Sequence, residues 1–296
     1  MAERQAGTKA GPPDSILLRL RDFIYEACGI FMPDKMLYFL EERCARRVEA
    51  RRAGTLRDYF NMLTAGPNPD TEIRDLLNEV TIGDTCFFRS KPQLDALSKV
   101  VLPKILEAKA KFSIFTIRLW SCGCSTGEEP YTLAMLLLED STLRLKDWSW
   151  EIHATDLNDN SLGKAKNGVY DKYALRNTPP RFQARFFERR GERFAIAEEV
   201  KQRVNFSRLN LRDESETRRM KENDVIFCSN VLIYFDTHSK KRVVRHIYES
   251  LRPGGYFFLG NAESLYGVDE GFHLVHFPGA MAYLRPSQAI NGDGLK

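Results

Sequence analysis

The sequence predicts an α/β protein, with a small all-helical N-terminal domain followed by a doubly wound parallel sheet that carries a small β-subdomain insertion. Three observations predict it. From Asp14 to about Asn78, apolar residues recur at helical spacing and no strand pattern interrupts them. Past Thr81, short apolar runs alternate with helical ones, the βαβ signature of a parallel sheet. Between two of those runs lie extra strand-like pieces that read as lying outside the main sheet. A chain of 296 residues is long enough for one large domain plus a small one.

In chain order, residues 1–13 hold Gly, Lys, Ala and a Pro-Pro pair and read as a disordered leader. Leu17, Leu20, Ile24 and Ala27 share one helical face; Gly29 stops that helix and Pro33-Asp34 opens the next. Leu37, Leu40, Cys44 and Val48 mark a second helix to about Arg52. Tyr59 to Leu63 mark a third, closed by Ala65-Gly66-Pro67-Asn68-Pro69. The helical domain is thus expected at 14–80 and the second domain at 81–286. In the latter, a helix from Gln93 to Ala108 precedes strands at Ile117–Ser121, Ile152–Thr155, Val225–Cys228 and Tyr256–Gly260. Leu274–Phe277 and Ala280–Leu284, split by Pro278-Gly279, predict an antiparallel hairpin. The β-subdomain is expected at about 172–211, with Arg193–Ile196 and Val204–Ser207 as strands outside the main sheet, and residues 287–296 as a loose tail.

Composition narrows the function classes. With 44 Lys+Arg against 40 Asp+Glu, the net charge of +4 is too slight to indicate nucleic acid, and no aromatic–basic stripe offers stacking for bases. No apolar run approaches the roughly 18 residues that span a bilayer. The N-terminus lacks the apolar stretch of a signal peptide, so a cytoplasmic protein without direct membrane insertion is expected. Six scattered cysteines include no Cys-x-x-Cys pair, which argues against zinc. Cys122-Gly123-Cys124 reads as small residues filling a tight turn, and free thiols suit a reducing compartment. A monomer is the default expectation.

Chemistry concentrates where strands end. In an open α/β sheet, ligands bind beyond the C-terminal strand ends. After Ile117–Ser121 comes Cys122-Gly123-Cys124-Ser125-Thr126-Gly127-Glu128-Glu129-Pro130-Tyr131, whose small residues let backbone approach a ligand. A phosphate-binding loop would offer bare N–H groups there, whereas this one presents two carboxylates. That favours a ligand with hydroxyls and a positive centre, a description that S-adenosylmethionine meets. Asp156, capping the next strand, either accepts a ribose diol or N-caps the following helix. Asn230 offers an amide after Cys228-Ser229, and Arg252-Pro253-Gly254-Gly255 reads as a turn before a late strand.

With Thr85-Cys86-Phe87-Phe88-Arg89, these segments resemble the CheR family of chemotaxis protein-glutamate methyltransferases. The motifs T-x-F-F-R, C-S-T-G-E-E-P-Y, A-T-D, N-V-x-I-Y-F-D and L-x-P-G-G stand in register from about residue 15 to residue 285. The resemblance implies a Rossmann-like S-adenosylmethionine methyltransferase sheet with a β-subdomain, behind a helical domain. It implies transfer of a methyl group from S-adenosylmethionine to glutamate side chains of methyl-accepting chemoreceptors, leaving S-adenosylhomocysteine. It places cofactor contacts on Thr85, Arg89, Glu128, Asp156, Asn210, Leu211, Asn230 and Val231, with Arg89 and Tyr234 near the methyl group as orienting residues. Where the family often has Asn two positions before Thr85, this chain has Gly83; Thr81 and Asp84 are the nearby substitutes, and a modestly weaker cofactor affinity is expected.

A carboxylate with an ordinary pKa of about 4.3 is already ionised at neutral pH, so its methylation needs no general base. The protein then aligns the reactants and excludes water. On the substrate side, Arg43, Arg46, Arg47 and Arg51 fall on one arc at about 100° per residue, flanking the Leu37/Leu40/Cys44/Val48 stripe. They are expected to face outward and dock the cytoplasmic receptor helices, with recruitment to membrane receptor arrays. The resemblance implies that some relatives grip a receptor C-terminal pentapeptide with a Gly-rich hairpin loop; the corresponding Phe187–Phe194 is compact with one glycine, so no such tethering is expected. Two alternatives stand beside this reading: a non-catalytic regulator that binds the cofactor or its product, and a methyltransferase for another substrate.

Overall fold

The computed structural model describes residues 15–66, 68–140, 144–268 and 271–287. The expected leader and all but the first residue of the expected tail lie outside these residues. The chain forms two compact units, 1–80 and 81–296.

The first unit is a set of four helices, α1 Ser15–Cys28, α2 Leu37–Arg51, α3 Leu56–Ala65 and α4 Pro69–Val80. On the expected faces Leu17, Leu20 and Ile24 of α1 and Leu37, Leu40 and Cys44 of α2 are buried, while Ala27 and Val48 are half-buried. The Thr55 side chain caps α3 by accepting the Asp58 N–H at 3.1 Å. Tyr59 and Leu63 are fully buried on that helix.

In the second unit, α5 Lys91–Ala96 passes through a π turn at Leu97–Val101 into α6 Leu102–Ala110. There follow β1 Thr116–Cys122, α7 Glu128–Asp140, β2 Ser149–Asp156, α8 Asp159–Asn167, β3 Val169–Tyr170, α9 Pro180–Phe186, β4 Phe187–Arg190 and β5 Arg193–Ile196. The chain continues through α10 Glu198–Lys201, β6 Val204–Arg208, α11 Glu214–Thr217, β7 Asn223–Cys228, α12 Thr237–Ser250, β8 Leu251–Leu259, β9 His273–Phe277 and β10 Ala280–Leu284. The main sheet runs β6-β2-β1-β7-β8-β10-β9. Its first five strands pair in parallel, and β10 is antiparallel to both β8 and β9. A parallel sheet must be covered on both faces, so its central strands are largely buried. All six residues of β7 are buried, and Phe227 stacks on Phe258 at 4.6 Å in one core while Ile226 and Phe257 belong to the other.

Two expectations need correction. Val204–Ser207 does not stand outside the main sheet: β6 is its edge strand, with Ala154 opposite Phe206. Its alternation of buried and exposed residues is what an edge strand with one open face requires. The separate sheet is three-stranded, β3-β5-β4, and ends at Ile196. Arg252-Pro253-Gly254-Gly255 lies inside β8 as a bulge, where the register to β7 jumps from Asn223–Leu251 to Val225–Tyr256. That bulge is at the N-terminal end of β8, opposite the ligand-binding edge.

Candidate functional site

The strand order reverses at β1 and β7, which places a crevice beyond their C-terminal ends. The loops on its two sides touch. Gly123 follows β1 with φ +66°, and a Cβ on it would come within 2.4 Å of Val231 Cγ2 in the loop after β7. Only glycine permits this approach.

Four carboxylates gather at this edge. In the β1–α7 turn, the Ser121 hydroxyl donates to Glu129 Oε1 and the Thr126 hydroxyl to Glu128 Oε2, both at 2.7 Å. At the end of β2, Asp156 accepts the Ser125 N–H on Oδ2 at 2.7 Å and the Asn158 N–H on Oδ1 at 2.8 Å. Asn158, not Asp156, caps α8, accepting the Ser161 N–H at 2.9 Å. Beyond β8, Glu263 accepts the N–H groups of Asn230 at 2.7 Å, Gly260 at 2.8 Å and Ile233 at 3.2 Å. Burial raises the carboxyls of Glu128, Glu129 and Asp156 above the ordinary range, against hydrogen bonds that hold them ionised. Among the described residues none of the four forms an ion pair.

The neighbouring loops complete the edge. Asn210 and Leu211 follow β6 beside Asp156, whose carbonyl accepts the Leu209 N–H at 3.0 Å. The Asn210 side chain accepts the Arg212 N–H at 3.1 Å, and Leu211 is buried. Asn230 takes a left-handed φ of 60°, which Asn tolerates better than most residues.

The Thr85–Arg89 loop is anchored rather than mobile in character. Phe87 donates its N–H to Ala174 O at 3.0 Å and Phe88 to the Thr132 hydroxyl on α7 at 3.2 Å. Phe87 and Phe88 are buried while Thr85 is half-buried. The two anchors leave Arg89 at the lip, where its guanidinium donates to Asp84 O at 2.6 Å and sits 3.4 Å from Asp84 Oδ2. Tyr234 lies in the short turn Leu232–Tyr234 after β7. Burial raises its hydroxyl, and the charges of Asp84, Arg89 and Glu263 all reach it. Arg89 and Tyr234 thus face the same lip.

The four arginines of α2 belong to the other unit and do not present a common outward face. Arg47 points inward. Its guanidinium bonds Glu72 at 3.0 and 2.9 Å and Asp75 at 2.8 Å on α4. Glu72 also accepts the Tyr59 hydroxyl at 2.8 Å and lies 3.1 Å from Arg51 Nε. Arg43 packs over the Phe39 ring at 4.8 Å, with Glu79 3.9 Å away, and Arg46 pairs with Glu42 at 2.5 Å.

Two residues escaped the reading of the sequence. Glu263 orders the loops after β7 and β8, and its signal was an acid four residues beyond the end of a strand. Ser125 has a left-handed φ of 48° and a buried hydroxyl with no hydrogen-bond partner among the described residues. It also neighbours Gly83: a Cβ there would lie 2.4 Å from Ser125 Oγ, the end of a side chain that can rotate aside. The nearby polar groups are engaged elsewhere: the Thr81 hydroxyl accepts from Asn158 at 2.7 Å, and Asp84 holds Arg89.

These residues fit S-adenosylmethionine. Buried and half-buried carboxylates without an ion-pair partner among the described residues suit its positive centre, Asp156 keeps lone pairs for a diol, and Ser125 has an unused hydroxyl. Fold and site define the class: an S-adenosylmethionine-dependent methyltransferase with a Rossmann-like sheet. Residues 83–280 match the CheR methyltransferase, SAM binding domain, and residues 17–81 the CheR methyltransferase, all-alpha domain. Chemotaxis protein methyltransferase 2 of Vibrio cholerae is 34% identical over 95% of this chain and 96% of its own length. Chemotaxis protein methyltransferase Cher2 of Pseudomonas putida is 30% identical over 90% and 96%, and the chemotaxis protein methyltransferase of Borreliella burgdorferi 30% over 85% and 88%. The chain belongs to the CheR methyltransferase family. It is an S-adenosylmethionine-dependent methyltransferase of chemotaxis. None of the described helices is long and apolar enough to cross a membrane.

Proposed function

We propose that the chain methylates glutamate side chains of chemoreceptor cytoplasmic helices, forming methyl esters. The observation that supports the acceptor assignment is a guanidinium, Arg89, near enough at the lip for its charge to act on a neutral hydroxyl, Tyr234, whose pKa burial raises. A cation and a neutral donor suit a carboxylate acceptor that needs orientation but no base. When bound, S-adenosylmethionine supplies an electrophilic methyl group on a sulfonium. Asp156 and Glu128 would hold the cofactor, with Thr85, Asn210, Leu211, Asn230 and Val231 lining its bed. Arg89 and Tyr234 would orient the acceptor carboxylate, and the buried edge would exclude water, which otherwise stabilises the separated charges.

Receptor docking on the helical unit is left to Arg43, Arg46 and Arg51, since Arg47 serves the fold. The protein works as a cytoplasmic monomer recruited to receptor arrays. Pentapeptide tethering is not expected, because β4 and β5 are joined by a two-residue turn, Gly191-Glu192, with Arg190 paired to Arg193. Calorimetry with such a pentapeptide should give no binding, and micromolar affinity would overturn that part of the reading.

The test of the acceptor is incubation with radiolabelled S-adenosylmethionine and receptor fragments, followed by alkali. Volatile, base-labile methanol is the expected product. Alkali-stable label would mean another acceptor, and no transfer despite cofactor binding would mean a regulator.

A further inference from the structure

We propose that Arg176 is a second carboxylate-binding side chain of the acceptor side, gripping an acidic residue of the partner protein next to the glutamate that is methylated. The inference rests on the reading of the acceptor as an acidic protein segment.

Arg176 lies in the loop between β3 and α9, and this loop is fastened to the Arg89 loop on both sides of Arg176. Ala174 O accepts the Phe87 N–H at 3.0 Å, and Asn177 Nδ2 donates to Cys86 Sγ at 3.5 Å. Arg176 and Arg89 therefore border the same lip, and the charges of both act on the Cys86 thiol between them.

The guanidinium is positioned in advance. It stacks 3.9 Å over the Tyr173 ring and donates to Tyr173 O at 2.9 Å. Tyr173 is itself 68% exposed. Among the described residues Arg176 forms no ion pair, although its charge reaches Glu128, whereas Arg181 and Arg190 of the same insert pair with Glu139 and Glu188. A guanidinium stacked on an aromatic shelf, with donors left over, is ready for a carboxylate at little cost in side-chain entropy.

Charge distribution points to the kind of partner. Residues 169–197 hold seven Lys and Arg against three Asp and Glu, an excess equal to the net +4 of the whole chain. The remainder of the protein is balanced, so attraction for an acidic partner is focused on the insert that carries Arg176.

The test compares Arg176→Ala, Arg176→Lys and the control Arg181→Ala in the full chain. An acidic receptor fragment is titrated into each protein saturated with S-adenosylhomocysteine, and kinetics are measured alongside. Arg176→Ala should weaken fragment binding and raise its KM about tenfold, with kcat little changed and a flatter salt dependence. Affinity for S-adenosylhomocysteine should not move, Arg176→Lys should recover part of the loss, and Arg181→Ala should resemble the parent. Equal loss of S-adenosylhomocysteine affinity would make the cofactor's own carboxylate the occupant and overturn the proposal. Unchanged fragment binding would overturn it as well. Because binding is read without methyl transfer, failure of ester formation in the parent protein is a separate result, which sinks the acceptor reading itself.

Discussion

The helical unit and the ligand edge of the sheet unit both bury carboxylates, and they treat them in opposite ways. In the helical unit Glu72 is 3% exposed and surrounded by Arg47, Arg51 and the Tyr59 hydroxyl. At the edge of the sheet, Glu128, Glu129, Asp156 and Glu263 are met by backbone N–H groups and hydroxyls but by no ion-pair partner. The opposite end of the same sheet follows the first pattern, with buried Asp224 held by Lys109 at 2.7 Å. Paired buried charge is architecture. Unpaired buried charge carries a desolvation cost that a cationic ligand relieves, which is why it collects where the cofactor binds.

The largest expected effect lies on the paired side. Glu72→Ala leaves the half-buried Arg47 with Asp75 alone and the buried Tyr59 hydroxyl without its acceptor, and should destabilise the helical unit by about 3 kcal/mol. Chemical denaturation followed by circular dichroism measures this, and a change near zero would erase the contrast. Asp156→Asn should do the reverse, keeping the fold while lowering cofactor affinity roughly a hundredfold by calorimetry, since charged hydrogen bonds are worth about 1.5–3 kcal/mol each. Gly83→Asn sharpens the comparison further. Restoring the residue common in the family should tighten cofactor binding modestly, because the Ser125 Oγ that its Cβ would meet at 2.4 Å ends a short side chain that no hydrogen bond among the described residues holds and that can rotate aside. Weaker binding would show that Ser125 does not yield. Smallest is Arg46→Ala, an exposed pair whose loss should cost less than about 1 kcal/mol in stability. Its readout is receptor affinity, which should fall if α2 docks the receptor.

Much of this was legible in the sequence, and the exceptions share a cause. Loops at strand ends declare themselves locally: the turn after β1 breaks an apolar run with small residues and acids, and Asp156 and Asn230 stand where strands stop. Arg47 was misplaced because its partners Glu72 and Asp75 lie 25 and 28 residues away on another helix, and a helical wheel sees only its own turns. β6 was misplaced because an edge strand alternates like a free hairpin strand. The bulge in β8 was read as a turn because Pro-Gly-Gly signals both, and only the register to β7 separates them. The unused Ser125 hydroxyl has no signature in the sequence at all, since an unmet hydrogen bond is a property of the folded surroundings.

Calorimetric affinity for S-adenosylmethionine as a function of pH tests the central claim most directly. Burial raises Glu128, Glu129 and Asp156, so in the free protein they take up protons above the ordinary carboxylate range. Acidification through that window neutralises the groups that hold the positive ligand, while the same protonation relieves the desolvation cost in the free fold. The account predicts that affinity falls as pH drops below neutral and that binding there releases protons, seen as a dependence of the heat on buffer ionisation. Affinity that stays flat, or rises, as these carboxylates protonate would contradict it.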